Sequence, residues 1–246
     1  MSTRQPALRV GTSGYQYGHW KGIFYPEALP AKNWLLFYAS QFDTVEINNT
    51  FYHLPPQSSF DQWRDQAPPG FLYALKFSRY GSHMKKLKDP DEPIGRFMAL
   101  AARLDGFLGP ILVQLPPHWH VDPERLSGFL TAAPSSQRWA FEFRDWTWLC
   151  DEIYGILTRH KAALCFHDMI ENHPRPITAN WVYLRFHGTS GHSGCYSHKQ
   201  LGEEAERIKE YLSRGLDVFA YFNNDVHGHA LRNAMDLRSI VKEGHW

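Results

Sequence analysis

The sequence predicts an α/β protein, a single TIM-like (β/α)8 barrel with an irregular segment in place of a full helix after strand 6. Three observations predict it. Eight short, almost wholly apolar runs rich in β-branched and aromatic residues alternate with segments of helical periodicity. Seven of those runs finish in polar residues: Glu46 and Asn48, Lys76, Gln114, Glu142 and Arg144, Asp168, Arg185 and His187, and Asn223 and Asn224. The chain of 246 residues is close to the roughly 250 typical of one such barrel. Polar groups at the carboxyl ends of barrel strands build active sites, because the barrel interior is itself packed with side chains. A buried charge also needs a partner or a purpose, so convergent strand-end charges point to a site.

The predicted strands cover residues 8–12, 44–48, 72–77, 111–115, 139–143, 162–167, 182–186 and 218–222. Their near-continuous apolar character suits parallel strands covered on both faces. Helices fit residues 31–40, 58–67, 123–132 and 149–160. Three more show a clear apolar face: Ile94, Phe97, Met98, Ala101, Leu104 and Leu108; Leu201, Ala205, Ile208 and Leu212; and Ala230, Ala234, Leu237 and Val241. Gly109-Pro110 reads as a helix stop just before a strand, and Arg214-Gly215 as another. Residues 167–180 contain Pro174 and Pro176 and leave little room for a helix, so a loop or single turn is expected there. The alternation implies right-handed crossovers. An open doubly wound sheet is the structural rival, but no strand is followed by a GxGxxG turn. No Pro/Gly/Ser-rich linker, repeat or low-complexity stretch marks a boundary, so residues 1–246 read as one domain.

Composition narrows the function classes. With 26 Lys+Arg against 25 Asp+Glu the net charge is +1, which does not support a global field for nucleic acid, although a local basic cleft stays open. Cys150, Cys165 and Cys195 are too few and too odd in number for a disulfide framework, which favours a reducing compartment. No apolar run reaches the about 18 residues of a membrane span, and the polar start lacks a signal-peptide core. A soluble cytoplasmic protein with no membrane partner is expected; oligomeric state is not legible. The aromatic content of 15%, with nine Trp, is assigned chiefly to packing and secondarily to aromatic walls of a cleft.

The chemistry-bearing residues follow from strand alternation. Glu46 and Asn48 share one face, with Tyr52 in the following loop; the alternative is that Glu46 ties strands together through a basic neighbour. Lys76 is a base, a Schiff-base nucleophile, a fixed positive charge for an anion, or simply a carboxylate's partner. Glu142 and Arg144 stand two apart, and an Arg beside a Glu holds that carboxylate ionised. Arg185 and His187 share a face before a glycine-rich loop at 188–194, a kind of loop that binds phosphate after strands seven and eight. Against an anion site stands internal neutralisation of Lys76, Arg144 and Arg185 by Glu46, Glu142 and Asp168. Asn223 or Asp225 is expected to cap the last helix, and Asn223 and Asn224 can also hydrogen-bond a ligand. Ser13, in Gly11-Thr-Ser-Gly-Tyr, adds a hydroxyl at the end of strand one.

His187, His192, Cys195 and His198 are borderline-soft ligands, yet among fourteen His their loose spacing matches no closed zinc site. Zinc is a minor alternative, a Cys195 nucleophile a lesser one, and no cofactor is predicted.

Taken together, the chain resembles the YecE-like family (DUF72), a TIM-barrel domain of unknown function. The resemblance rests on Gly11-Thr-Ser-Gly-Tyr with Trp20, Tyr25-Pro26 with Leu29-Pro30, and Thr44-Val-Glu-Ile-Asn with Thr50-Phe-Tyr. It continues through Lys76, Leu108-Gly-Pro, Gln114-Leu-Pro-Pro, Glu142 with Arg144, Arg185 with His187-Gly, and Asn223-Asn, in order from about residue 9 to 241. It implies one closed barrel with signature residues at the carboxyl ends of the strands, and no assigned reaction. His192, Cys195 and His198 fall outside its pattern, and only Asp168 of the pair His167-Asp168 is carried over.

The function expected from these residues is that of an enzyme acting on a small or nucleotide-like anionic substrate by general acid/base chemistry. Glu46 and Glu142 are the proton-transfer candidates, and Lys76, Arg144 and Arg185 stabilise negative charge. Asn48, Tyr52, His187 and Asn223, with Asp168, Asn224 and Ser13, bind and orient substrate. The alternatives are a carbohydrate-active enzyme using Glu46 and Glu142 as acid and base, and a non-catalytic nucleic-acid or protein binding module.

Overall fold

The computed structural model describes residues 5–188 and 194–243. Eight parallel strands form one sheet in the order β1-β8-β7-β6-β5-β4-β3-β2. They are β1 Leu8–Thr12, β2 Thr44–Ile47, β3 Leu72–Lys76, β4 Leu108–Gln114, β5 Trp139–Glu142, β6 Ala163–His167, β7 Trp181–Phe186 and β8 Asp217–Phe222. The helices are α1 Trp34–Gln41, a four-residue α2 Asn49–Tyr52, α3 Gln57–Gln66, α4 Asp91–Ala101, α5 Pro123–Ala132, α6 Asp151–Arg159, α7 His198–Ser213 and α8 His229–Glu243. No helix follows β6, as Pro174 and Pro176 predict. Among the described residues no helix is long and apolar enough to cross a membrane.

The seam between β1 and β2 nearly closes the barrel. A single parallel bridge, Ser13 to Glu46, joins them. The Tyr38 hydroxyl from α1 fills the rest, accepting from the Thr12 amide at 2.9 Å and reaching the Thr44 carbonyl at 3.2 Å. The two backbones approach so closely that a Cβ on Gly11 would stand 2.3 Å from the Thr44 oxygen. Backbone cannot yield as a flexible side chain can, so Gly11→Ala is expected to destabilise by about 1–3 kcal/mol, at the level of an overpacked core. Urea unfolding checks this.

Inward residues form layers. Ala74, Leu112, Ala140, Cys165, Tyr183 and Tyr221 belong to one buried cluster within the barrel. Two residues further along their strands, on the same face, stand Lys76, Gln114, Glu142, His167 and Arg185. The apolar layer is thus a floor, and the charged layer is the barrel mouth. Outside the barrel a larger cluster packs the outward strand faces against the helices, Ile94, Phe97, Ala101 and Leu104 among them. The aromatic content is mostly packing. Trp20 and Trp148 are fully buried, the latter stacked on Phe143 at 4.9 Å, whereas Trp146 is exposed.

Several sequence expectations are corrected. The apolar face running to Leu108 is not one helix: α4 stops at Ala101, a 3-10 segment follows, and Asp105 at φ 48° breaks the spiral. Gly109-Pro110 lies inside β4 rather than before it. The β3–β4 pairing shifts register between Tyr73 and Leu75, an irregularity that accommodates a strand proline without an N–H. Asn48 is not a strand residue. The chain turns into α2 directly after Ile47, with Asn48 at φ −88°, ψ −20°, so alternation no longer carries it to the face of Glu46. Asp225 stands at the N-cap of the short 3-10 turn Val226–Gly228 that precedes α8, where its side chain accepts no cap hydrogen bond; it pairs with His19 at 3.3 Å. Gly215 at φ 77° does follow the end of α7, as Arg214-Gly215 predicts.

Candidate functional site at the barrel mouth

Arg185 at the end of β7 crosses the barrel and bonds two carboxylates from strands that are not its neighbours. Its Nη2 donates to Glu46 Oε1 at 2.8 Å and its Nη1 to Glu142 Oε2 at 2.6 Å. Glu46 Oε2 accepts from the Tyr183 hydroxyl at 2.7 Å, and Glu142 Oε1 accepts from Arg144 Nε. All four carboxylate oxygens are partnered, and Glu46, Glu142 and Arg185 are essentially buried. Burial works to raise the Glu142 pKa, but the Arg185 and Arg144 guanidiniums outweigh it and hold the carboxyl well below its usual range. Two carboxylates face two guanidiniums, so the cluster is neutral as a unit.

That geometry recasts the sequence-predicted roles. Glu142 is the ionised partner of two arginines, a poor source of a proton. The space between Glu46 and Glu142 is filled by the Arg185 guanidinium, which leaves no gap for a sugar and an attacking water; the glycosidase arrangement is not present. The positive charges of Arg185 and Arg144 are neutralised internally, the outcome that counts against an anion site built on them.

His187 is ordered by the same cluster. Its Nε2 lies 3.1 Å from Arg144 Nη2 and 3.3 Å from Arg185 Nη1. A guanidinium can only donate, so Nε2 accepts and the ring proton sits on Nδ1, 3.1 Å from Asp168 Oδ1. Burial and the flanking arginines hold the imidazole pKa down despite Asp168. Both ring nitrogens of His187 are thus bonded within the network, which fixes the ring and leaves neither nitrogen open to a ligand. Asp168 also accepts from the His187 amide at 3.0 and 3.2 Å and from the Tyr196 hydroxyl, tying the ends of β6 and β7 to the segment before α7. His167 is a structural neighbour: its Nε2 bonds the Phe143 carbonyl at 2.8 Å, its Nδ1 accepts from the Met169 amide, and burial lowers its pKa to about 4.

Lys76 differs from the arginines. The residue is only 8% exposed, yet among the described residues no carboxylate oxygen stands within the 4.0 Å of an ion pair. Its Nζ sits 4.2 Å from the centre of the Phe51 ring, a cation–π contact that offsets part of the lost hydration. Burial first, then Arg185, lowers its pKa to about 8 even with Glu142 and Glu46 pulling upward.

The other predicted residues are placed as follows. Asn48 Nδ2 reaches the Ser13 carbonyl at 3.5 Å, and Ser13 Oγ, Asn48 Oδ1 and Arg185 Nε are buried polar atoms with no hydrogen-bond partner among the described residues. Tyr52 is exposed at the end of α2, and Asn223 is half-buried. Asn224 is turned away into structure, donating to the Gly194 carbonyl at 2.9 Å and to Asn233 Oδ1 at 3.0 Å. The expected phosphate loop at 188–194 falls largely outside the described residues; the Gly188 amide donates to the Tyr196 hydroxyl at 2.7 Å. His192 of the zinc alternative also lies outside them, and among the described residues no group of three or more His, Cys, Asp or Glu is placed to hold a metal ion. Sequence reasoning missed Tyr183, which strand alternation from Arg185 could have found, and His83 and Tyr196, for which the chain carries no periodic signal. A surface groove of about 830 Å³ between α4, α5 and α6, lined by residues such as Pro90, Glu124 and Glu152, lies on the outer helical layer and not over these charges.

A parallel eight-stranded barrel carries at its mouth a buried, self-neutralised charge network and, beside it, a lysine with no ion pair among the described residues. The family model described as "Protein of unknown function DUF72" matches residues 9–245, and the chain belongs to that family. It is 22% identical to the UPF0759 protein YunF of Bacillus subtilis (strain 168) over 95% of this chain and 94% of the relative. Among solved structures it is similar to a DUF72 family protein from Thermotoga maritima MSB8, with a TM-score of 0.85 and 28% identity over 96% of this chain and 99% of that one. A DUF72 family protein from Enterococcus faecalis V583 shares the fold, with a TM-score of 0.79 and 18% identity over 96% of this chain and 95% of that one.

Proposed function

We propose that the protein is an enzyme acting on a small anionic substrate, nucleotide-like substrates included, by acid/base chemistry at the barrel mouth, with Lys76 meeting the substrate's negative charge. The observation that carries this reading is the Lys76 ammonium, nearly buried at a strand end and, among the described residues, in no ion pair, since the nearby Glu46 and Glu142 are bonded to Arg185 and Arg144 instead. An uncompensated buried cation is destabilising unless a bound group rewards it. The arginines do not share this role, because their charges are already paired with Glu46 and Glu142. Their neutral cluster acts instead as a rigid, preorganised wall whose dipoles need not reorganise during a reaction. A pKa of about 8 lets Lys76 both pair an anion and donate or regain a proton near neutral pH. Ser13, Asn48, Tyr52 and Asn223 border the same end of the barrel and would orient the substrate's polar groups.

Inorganic phosphate is the simplest probe. At phosphate about one hundred times its dissociation constant, the native protein gains about 2.7 kcal/mol, read as a rise in Tm. Lys76→Met is expected to abolish that rise. Non-specific salting effects of phosphate act on both proteins alike, so an equal rise in the variant removes Lys76 from the reading.

A further inference from the structure

The segment that leaves β3 is a π-helical turn, Tyr80–Met84, followed by three left-handed residues, Lys86 at φ 47°, Leu87 at φ 60° and Asp89 at φ 46°. Non-glycine residues in that region are strained, and such strain clusters at functional sites when the surroundings hold it in place. Here they do. Leu87 is buried in the core, and Arg125 Nη1 donates to the Lys86 carbonyl at 3.1 Å. Gly81 lets the turn sit directly on the strand end, since a Cβ there would stand 2.5 Å from the Phe77 ring.

The residue this turn presents is His83. Its ring meets Phe51 edge-on at 4.9 Å, the same ring that carries the Lys76 ammonium. The Ser82 hydroxyl donates its one hydrogen to the Ser78 carbonyl at 2.9 Å, so it accepts from His83 Nδ1 at 3.0 Å. The ring proton is thereby assigned to Nδ1 and the lone pair to Nε2. Among the described residues Nε2 has no protein partner, and it is not one of the atoms sealed from solvent. The charged groups around the ring are Lys76, Arg79, Arg144 and Glu142; burial first, then Lys76, brings its pKa down to about 4. The imidazole is therefore neutral at physiological pH.

We infer that His83 is the proton-transfer residue of the Lys76 site: its Nε2 takes a proton from an acidic O–H or N–H of the bound substrate. The proton leaves imidazolium on the protein, and the negative charge left on the substrate atom pairs with the Lys76 ammonium; no oxidant, reductant or second reactant enters the step. This inference rests on the reading of Lys76 as the anion partner, and it transfers to His83 the base function that Glu46 and Glu142 are too well bonded to perform.

Diethyl pyrocarbonate, which acylates unprotonated imidazole nitrogens, tests it when modification is mapped by mass spectrometry on the intact protein at neutral pH. His83 is expected to be modified. Inorganic phosphate at about ten times its dissociation constant should slow that modification about tenfold. Protection should vanish in Lys76→Met while modification persists, and 15N NMR of the imidazole should show the proton on Nδ1. An unmodified His83, or a proton on Nε2, overturns the inference and leaves the reading of Lys76 standing. So does phosphate that stabilises the native protein without protecting His83. If phosphate neither stabilises the protein nor protects His83, the reading of Lys76 fails and the inference falls with it.

Discussion

Replacing Arg185 with methionine is expected to lower the unfolding free energy by about 3–5 kcal/mol, because breaking a buried ion pair from one side leaves uncompensated charge. Arg185 is the only group joining Glu46 and Glu142 across the barrel among the described contacts, and both carboxylates are fully buried. Glu46 would keep the Tyr183 hydroxyl and Glu142 would keep Arg144, which is why the loss falls short of two isolated buried ions. Urea unfolding at neutral pH measures it as a lower midpoint. A companion variant sharpens the test. Adding Glu46→Leu and Glu142→Leu to Arg185→Met removes the orphaned charges, and stability should recover substantially, as when a whole buried ionic cluster is replaced by apolar residues. A loss in the single variant below about 1 kcal/mol, the range of exposed pairs, would mean that the network is far more hydrated than its burial implies.

The second large effect is on acid stability. The Glu142 carboxyl has its folded-state pKa depressed well below the ordinary value of 4.5. A depressed carboxylate pKa contributes stability that is fully present above the unfolded-state value and lost as pH falls through the folded-state value. Glu142→Gln should therefore be less stable at neutral pH by about 3 kcal/mol or more, and its stability curve should be flatter than the native one below pH 4.5. His167 and His83, both lowered from 6.5 to about 4, also lose stability as pH falls, since the unfolded chain binds those protons first. That slope lies mainly above the carboxylate window, and because Glu142 pulls both imidazole pKa values upward, the variant's histidine slope moves to lower pH. Below pH 4.5 the difference between the two curves reports chiefly on Glu142, and parallel curves there would show that its carboxyl is not depressed.

The barrel was legible because its physics is periodic. Strands buried on both faces read as unbroken apolar runs, and their mouths read as the polar residues that end them. Even the missing helix after β6 was legible, through Pro174 and Pro176. What failed was local. Asn48 was placed by alternation, but the chain had already turned into α2, and Gly109-Pro110 looked like a stop although the register shift between β3 and β4 gives the pair a place in the sheet. The site was legible as a set of residues and not as a set of roles. Glu46, Glu142 and Arg185 come from β2, β5 and β7, and their meeting depends on the barrel's closure and width, which no spacing encodes. The sequence reading therefore offered Glu46 and Glu142 for proton transfer, where the fold spends them on Arg185 and Arg144. His83 was silent for a different reason: a π turn and left-handed residues at non-glycine positions leave no pattern in the chain.

Lys76, unlike the arginines around it, is in no ion pair among the described residues, and the proposed function rests on that ammonium at the barrel mouth. Its own titration tests this most directly, followed by NMR of 13C-labelled lysine with Lys76→Arg to assign the signal. The account predicts a pKa of about 8 that rises when inorganic phosphate is added. A value near the ordinary 10.5, unmoved by phosphate, would contradict it.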